Sequence, residues 1–153
     1  MKPVLFICTG NVFRSLTAEY ALRACLGTDS PFIAASAGIE AKPQELHPLI
    51  VNALRDKGAD VTRHVQRRLT HEILDSSHLA IAMGHDHREY IRREFGRDVP
   101  LFNSVCLGRD EPVLDLHEAL PNWQSDLEAA HAYVRQVIEH IWSVAPRLLA
   151  RLN

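Results

Sequence analysis

The residues with the clearest chemical potential lie near the start of the sequence, in Cys8–Ser15, which reads Cys-Thr-Gly-Asn-Val-Phe-Arg-Ser. The residues between Cys8 and Arg14 can curl so that successive backbone N–H groups point inward and bind an anion. A helix beginning near Arg14 would add the positive end of its dipole, and a guanidinium matches two phosphate oxygens. This positive field favours the thiolate form of Cys8. The segment therefore predicts a phosphoryl-binding loop with a cysteine placed for in-line attack.

The sequence on either side of this segment supports that interpretation. The apolar run Val4–Ile7 favours a strand, and apolar residues then recur on one helix face from Ala18 to Leu26. The alternative is a buried structural cysteine beside a surface arginine. The position of the segment after a strand and before a helix favours the phosphoryl-binding loop.

Strands and helices alternate along the rest of the chain. Further strands are predicted at Phe32–Ala35, Leu79–Met83 and Pro100–Phe102, helices at His47–Lys57, His85–Phe95 and Ser125–Leu149, and an irregular segment at Asn103–Asn122. This alternation predicts one α/β domain over residues 1–153, with a parallel sheet covered by helices on both faces. Ligands of such sheets bind at the carboxyl ends of the strands, which is where Cys8 is expected.

The composition excludes several classes of protein. Of 153 residues, 46% are hydrophobic and 24% charged, as in ordinary globular domains. The net charge of −2 is unlike that of a dedicated nucleic-acid-binding protein. The 3 cysteines form no Cys-x-x-Cys pair, so neither a disulfide scaffold nor a Cys-rich zinc site is predicted. Free thiols suit the reducing cytoplasm, and neither a transmembrane run nor a signal-peptide pattern is evident, so we expect a soluble cytoplasmic protein.

Several segments match one family pattern. They are Cys8–Ser15, Ser36–Gly38, the stretch from His64 to Thr70, the apolar strand ending at Met83, and an acidic loop before a long final helix. Together they resemble the low-molecular-weight protein tyrosine phosphatase family, which also contains thioredoxin-coupled arsenate reductases. The resemblance covers most of the chain. It implies a four-stranded parallel twisted sheet with helices on both faces and a cysteine-dependent phosphatase that hydrolyses aryl phosphates.

The resemblance also implies a role for each residue of the loop. Cys8 is the nucleophile that forms a phosphocysteine intermediate, Arg14 binds phosphate and stabilises the transition state, and Ser15 hydrogen-bonds the thiolate. Asn11 resembles a loop residue that is held, often in a left-handed conformation, by a network using Ser36 and His64. The phosphate-binding residues implied are Thr9, Gly10, Asn11, Val12, Phe13 and Arg14.

Hydrolysis of a phosphomonoester also needs a group that protonates the leaving oxygen and later activates a water. In the family this group comes from an Asp-Pro pair in the loop before the last helix, and no Asp-Pro occurs here. Asp115 is the predicted general acid, because two apolar residues precede it and its distance to the last helix fits best. Asp110 and Glu111, the latter followed by Pro112, are the alternatives; each of the three could also be a solvated loop carboxylate.

The sequence departs from the family in the loop and around the substrate cleft. Phe13 stands where many relatives carry a second cysteine that can trap the nucleophile as a reversible disulfide. The aromatic residues that line a phosphotyrosine cleft are missing from Ile39–Pro43 and after Asp115, and His117 and Trp123 are candidate substitutes. A phenyl ring needs such walls. Their absence weakens the phosphotyrosine assignment more than it weakens phosphatase chemistry.

Two other functions remain open. An arsenate reductase needs resolving thiols to carry a disulfide away from the nucleophile. Cys25 lies on the apolar face of the first predicted helix, and Cys106 alone is a poor substitute for the close pair that family reductases use. The other alternative is a module that binds phosphorylated ligands with weak turnover, which the missing Asp-Pro leaves possible.

Remaining expectations concern metals and partners. His85-Asp86-His87 invites a metal site, but these side chains diverge at a helix start, so a solvated helix cap with Asp86 in the first turn is predicted. No metal or organic cofactor is needed, because the loop amides, Arg14 and the thiolate supply the chemistry. The expected partner is a phosphorylated protein or small aryl phosphate, not nucleic acid or a membrane, and the chain is expected to be a monomer or weak dimer.

Overall fold

The computed structural model describes residues 1–152. Its strands are β1 (Lys2–Cys8), β2 (Phe32–Gly38) and β3 (Leu79–Ala82). Its α-helices are α1 (Arg14–Cys25), α2 (Pro48–Asp56), α3 (His71–Asp75), α4 (His85–Phe95), α5 (Phe102–Leu107), α6 (Leu116–Ala119), α7 (Leu127–Val144) and α8 (Leu149–Leu152). Short 3₁₀ helices at Trp123–Ser125 and Ala145–Leu148 precede and follow α7.

The strands form one parallel sheet in the order β2-β1-β3. The chain passes from β1 to β2 on one side and later crosses to β3 on the other, so the strand order reverses beside β1. In open parallel sheets, the crevice at such a reversal, at the carboxyl ends of the strands, is where ligands bind. Cys8 is the last residue of β1 and pairs with Gly38, the last residue of β2.

The side chains of β1 alternate between two hydrophobic cores. Even-numbered residues from Val4 to Cys8 face a core completed by α1, α2 and α7, whereas Leu5 and Ile7 face a second core that α3 and α4 help to close. Val4–Ile7 is entirely buried, as expected for a strand covered on both faces. The predicted α/β class, with a parallel sheet and flanking helices, is confirmed.

The sheet differs from the expected four strands. Within residues 1–152 it has three, and the segment predicted as the fourth, Pro100–Phe102, contributes a single parallel bridge between Leu101 and Ala82. Pro100 has no N–H to donate to a ladder, and α5 begins at the next residue but one. A longer strand therefore has no room to form.

The segment 103–122, expected to be irregular, contains most of α5 and all of α6. Both helices are short, and a pattern of one or two turns is too brief to register as a helical period. Their ends are nevertheless marked in the sequence, because Gly108 ends α5 in a left-handed conformation with φ 70° and Asp115 caps the start of α6. The last predicted helix, Ser125–Leu149, is interrupted near Pro146, where α7 gives way to a 3₁₀ turn.

No helix within residues 1–152 combines the length and apolar composition that crossing a bilayer requires.

Candidate active site

Residues 9–13 form a tight loop that joins the end of β1 to the start of α1. The backbone carbonyls of Cys8 and Thr9 turn toward the chain beyond β2, where they accept hydrogen bonds from Ile39 (3.0 Å) and Glu40 (2.9 Å). Within residues 1–152, no side chain caps the first turn of α1. The free N–H groups of this turn and its dipole therefore face the loop, which is the arrangement that binds anions.

Cys8, at the start of this loop, is 3% exposed. Its Sγ atom is 2.9 Å from the Ser15 hydroxyl, and that hydroxyl accepts a hydrogen bond from Asn11 Nδ2 at 2.9 Å. Since the oxygen of Ser15 is already an acceptor for Asn11, its own proton is free to be donated to the sulfur. The Ser15 hydroxyl thus fixes the position of the Cys8 sulfur as a hydrogen-bond acceptor.

Asn11 is held in a left-handed conformation with φ 58°, which asparagine tolerates better than most residues. Its backbone carbonyl accepts from His64 Nε2 (2.9 Å), and its side-chain oxygen accepts from the Arg67 N–H (3.1 Å). The second proton of its amide goes to Ser36 Oγ at 2.8 Å. The structure thus brings Asn11, Ser36 and His64 together around the loop, and these bonds hold its backbone in place.

Glu19 completes this network from α1, and the sequence analysis did not single it out. Its carboxylate is 7% exposed and accepts the Ser36 hydroxyl proton at 2.5 Å, while its other oxygen pairs with Arg23. A chain of hydrogen bonds therefore runs from Glu19 through Ser36, Asn11 and Ser15 to the sulfur. In the sequence, it stands out only as the single acidic residue of α1.

Arg14 is 2% exposed although it carries a full charge. Its Nη1 atom donates to the Val113 carbonyl at 2.9 Å. Its guanidinium lies 3.5 Å from Asp115 Oδ2 and 3.7 Å from Glu118 Oε1. A buried guanidinium held on one side by a carbonyl and two carboxylates is oriented before any ligand arrives.

Of the three carboxylates considered as general acid, the structure places Asp115 beside Arg14. Asp115 caps α6, with Oδ1 accepting from the Leu116 N–H at 2.8 Å, and its own N–H donates to Glu118 in a reciprocal capping box. Its Oδ2 atom faces Arg14 and His117 Nδ1 (3.4 Å).

The other two carboxylates lie elsewhere. Asp110 pairs with Arg88 at 2.9 Å and is 66% exposed. Glu111 is exposed, and its backbone carbonyl, not its side chain, is engaged, by Asn103. Neither therefore faces Arg14.

The predicted solvated cap at His85-Asp86-His87 is confirmed for Asp86, which lies exposed in the first turn of α4, but is wrong for His87. Gly84 is the N-cap of α4, and His87 is fully buried. The His87 ring bonds the Gly84 N–H through Nδ1 (3.0 Å) and the Thr9 hydroxyl through Nε2 (2.8 Å). Burial lowers the pKa of His87 to about 4, and the nearby Arg14 charge acts in the same direction. His85 and Asp86 remain exposed.

The two other thiols lie away from the loop. Cys106 is buried, and desolvation raises its pKa to about 12. Cys25 ends α1, about 16 Å along the helix from Arg14 at 1.5 Å per residue, and burial raises its pKa as well. Neither thiol is therefore disposed to act as a thiolate.

A cavity of about 370 Å³ adjoins the loop and the α6 cap. Its lining includes Phe13, His47, Asp115, Leu116, Trp123 and His131. Of the two aromatic candidates from the sequence, Trp123 contributes to this wall, whereas His117 is 68% exposed and contacts Asp115. Phe13, which stands where the resemblance implies a second loop cysteine, is 7% exposed and lines this cavity.

The chain is similar in sequence to a known protein family and to individual proteins of known activity. The family model "Low molecular weight phosphotyrosine protein phosphatase" matches residues 3–153. The protein-arginine-phosphatase of Bacillus subtilis (strain 168) is 35% identical over 96 residues, which are 61% of this chain and 63% of that protein. An arsenate reductase of Staphylococcus aureus (strain Newman) is 32% identical over 85 residues, 56% of this chain and 62% of that protein. The matched stretches thus span less than two thirds of these relatives.

Solved structures are similar over almost the whole chain. A YwlE arginine phosphatase variant with a phosphorylated active-site serine has a TM-score of 0.82 at 28% identity, covering 98% of this chain and 95% of that one. The solution structure of a low molecular weight protein tyrosine phosphatase from Bacillus subtilis has a TM-score of 0.78 at 27% identity, covering 98% of this chain and 96% of that one.

Proposed function

Since the chain belongs to the low molecular weight phosphotyrosine protein phosphatase family, we propose that it is a cysteine-dependent phosphomonoesterase that hydrolyses aryl phosphates. The observation that carries the proposal is the hydrogen-bond chain that ends on the Cys8 sulfur, next to the start of α1, which no side chain caps among residues 1–152. A cysteine sulfur positioned under an anion-binding loop is the arrangement that phosphoryl transfer through a phosphocysteine requires.

In the first step of the proposed reaction, the Cys8 thiolate attacks the phosphorus in line. An S–P bond forms while the P–O bond to the aryl group breaks, and Asp115 gives its proton to the leaving oxygen. Loop amides and Arg14 bind the three equatorial oxygens, where charge accumulates.

In the second step, water attacks the phosphocysteine and gives a proton to the Asp115 carboxylate. The S–P bond breaks, phosphate leaves, and the Ser15 hydroxyl stabilises the departing thiolate. The loop residues Cys8–Ser15 and the side chain of Asp115 supply all the groups in this scheme. Its proposed substrates are phosphorylated proteins or small aryl phosphates in the reducing cytoplasm.

Replacement of the nucleophile tests the proposal directly. Cys8→Ser is expected to abolish hydrolysis of p-nitrophenyl phosphate, because a serine hydroxyl in this site is a far weaker nucleophile than a thiolate. Binding of inorganic phosphate, measured by calorimetry, is expected to persist. Cys25→Ser is the matched control and should retain full activity.

Retained turnover in Cys8→Ser would refute the proposal. A wild-type protein that binds phosphate without hydrolysing any aryl phosphate would instead indicate a phospho-ligand-binding module.

The name of the Bacillus subtilis relative raises phosphoarginine as a rival substrate. We favour an aryl phosphate because a cavity with aromatic walls from Phe13 and Trp123 adjoins Asp115, and aromatic rings pack well against such walls. Two peptides of the same sequence, one phosphorylated on tyrosine and one on arginine, distinguish the substrates. A higher kcat/KM for the phosphoarginine peptide would overturn this preference.

Arsenate reduction is the second candidate, raised by the Staphylococcus aureus relative. The thiols of this chain disfavour it, because burial raises the pKa of Cys106 to about 12 and that of Cys25 is raised as well, whereas disulfide relay needs accessible thiolates. We expect no thioredoxin-coupled reduction of arsenate by the pure protein. Sustained NADPH consumption with thioredoxin and arsenate would favour the reductase.

A further inference from the structure

The buried ring of His87 links the nucleophile loop to the start of α4, and the reaction scheme above gives it no role. The ring is 0% exposed, with one nitrogen bonded to the Gly84 N–H and the other to the hydroxyl of Thr9, 78 residues away in sequence. A Cβ added at Gly84 would lie 3.3 Å from His87 Nδ1. The absence of a side chain at Gly84 therefore lets the backbone approach the ring closely.

The positions of the protons on the His87 ring and the Thr9 hydroxyl follow from the bond that the Gly84 N–H donates. Gly84 can only donate from its N–H, so His87 Nδ1 must be the acceptor and is unprotonated. A neutral imidazole then carries its proton on Nε2, which makes His87 the donor to Thr9 Oγ1. The hydroxyl proton of Thr9 is left over, and among residues 1–152 no acceptor is bonded to it.

Burial, more than the charges around it, keeps the ring neutral. Arg14 on α1 faces it with a positive charge, Asp86 on α4 and Asp115 before α6 act in the opposite direction, and desolvation is the largest effect. Together they lower the pKa of His87 to about 4. The direction of the bond to Thr9 is therefore constant near neutral pH.

The free proton of Thr9 must point away from His87, because His87 Nε2 already donates to the Thr9 oxygen. Thr9 is half-buried, whereas His87 is fully buried. Thr9 directly follows the nucleophile, and the Arg14 charge acts on the same ring. The hydroxyl thus belongs to the same loop as the amides that would bind a phosphoryl group.

We propose that Thr9 is a substrate-binding residue that donates its hydroxyl proton to a phosphoryl oxygen, and that His87 is the positioning residue that directs this proton. The inference rests on the proposed phosphatase function and adds a side-chain donor to the amides and Arg14.

Three single variants test it, with inhibition by inorganic phosphate and kcat/KM for p-nitrophenyl phosphate as readouts. Thr9→Val keeps the shape of the side chain and removes the hydroxyl, so we expect phosphate affinity and kcat/KM to fall by about tenfold or more, as for a lost hydrogen bond to a charged group. Thr9→Ser is expected to stay within about threefold of the wild type. His87→Phe removes both nitrogens and should reproduce a large part of the Thr9→Val loss.

The double variant separates positioning from packing. Once the hydroxyl is absent, His87→Phe should cost no further activity, so Thr9→Val/His87→Phe should resemble Thr9→Val in kcat/KM. Unchanged phosphate affinity in Thr9→Val, or failure of Thr9→Ser to retain activity, would overturn the inference. Additive losses in the double variant would overturn the role of His87.

Phosphate affinity can be measured even if the wild type hydrolyses no substrate. Absent turnover with weakened phosphate binding in Thr9→Val would therefore contradict the proposed function alone.

Discussion

The chain of hydrogen bonds that reaches the Cys8 sulfur begins at the carboxylate of Glu19. A carboxylate can only accept, so Ser36 donates to it and must accept from Asn11. The Asn11 amide is fixed in turn, because its oxygen accepts the Arg67 N–H. Every donor in the chain then points toward either the carboxylate or the sulfur, and this polarity prepares the site before substrate binds.

At Asp115, the proposed role as general acid predicts a dependence on the leaving group. Asp115→Asn should lower kcat/KM for phenyl phosphate by about 100- to 10,000-fold, the usual contribution of a positioned acid. The loss should be much smaller for 2,4-dinitrophenyl phosphate, whose leaving group needs no proton. Stopped-flow or steady-state assays of the two substrates provide the measurement.

Asp110→Asn is the control for this substitution. Asp110 lies in the same connection but pairs with Arg88 on the surface, so its loss should leave both substrates unaffected. Asparagine at 115 still caps α6, which keeps the comparison free of a folding defect. Equal losses on both substrates would remove Asp115 from proton transfer.

The sequence predicted the site residues best where they are close together along the chain. Cys8, Arg14 and Ser15 belong to one loop, and their spacing alone indicated a shared anion. His87 and Glu118 reach the site from elements 70 or more residues away, so their participation depends on how the helices pack. A histidine at a helix start is usually solvated, and only the close approach of Gly84 and Thr9 explains its burial.

At the scale of elements, the end of β2 supports the loop through Gly38. The Gly38 N–H donates to the Arg67 carbonyl at 2.8 Å, and its carbonyl accepts from Leu69 at 2.9 Å. A Cβ at this position would lie 2.4 Å from the Thr9 carbonyl oxygen and 2.9 Å from the Asn11 nitrogen. Both are backbone atoms and cannot rotate away.

Gly38→Ala is therefore expected to displace the loop. We expect a loss of about 1–3 kcal/mol in the free energy of unfolding, typical of overpacking, and a larger relative loss in kcat/KM because the amides move from the anion. Urea denaturation and turnover of p-nitrophenyl phosphate measure the two effects.

The matched control is Gly27→Ala. A Cβ there meets no atom within 4 Å in the described part of the chain, so its stability and activity should match those of the wild type. A Gly38→Ala protein with wild-type kinetics would show that the contact between β2 and the loop can relax.

Elements with long apolar patterns were predictable, and short ones were not. The first strand and the helices at His85–Phe95 and along α7 followed from periodicity, because each buries a stripe or face over several turns or residues. The prediction of a fourth strand at Pro100–Phe102 was wrong, because a segment that forms a bridge at one residue can have the same apolar pattern as a strand. α5 and α6 are too short for a period to be measured.

At the scale of the whole molecule, burial of a neutral histidine links stability to pH. Folding removes His87 from water, and its pKa falls from 6.5 to about 4. Between these values the unfolded chain binds the proton more strongly than the folded one. The free energy of unfolding is therefore undiminished by His87 above pH 6.5, the pKa in the unfolded chain. It decreases as the pH falls from 6.5 toward about 4.

This linkage predicts a loss of about 2 kcal/mol in the free energy of unfolding from His87 alone between about pH 7.5 and pH 5. Other histidines and carboxylates add their own dependence, so the comparison is with His87→Phe, which should be less stable at neutral pH but should lose less on acidification. The exposed His85→Gln variant should follow the wild type. Urea unfolding curves at the two pH values give each difference. Parallel losses in wild type and His87→Phe would show that the ring is already protonated or solvated in the folded protein, and the fixed direction of the bond to Thr9 would fail with it.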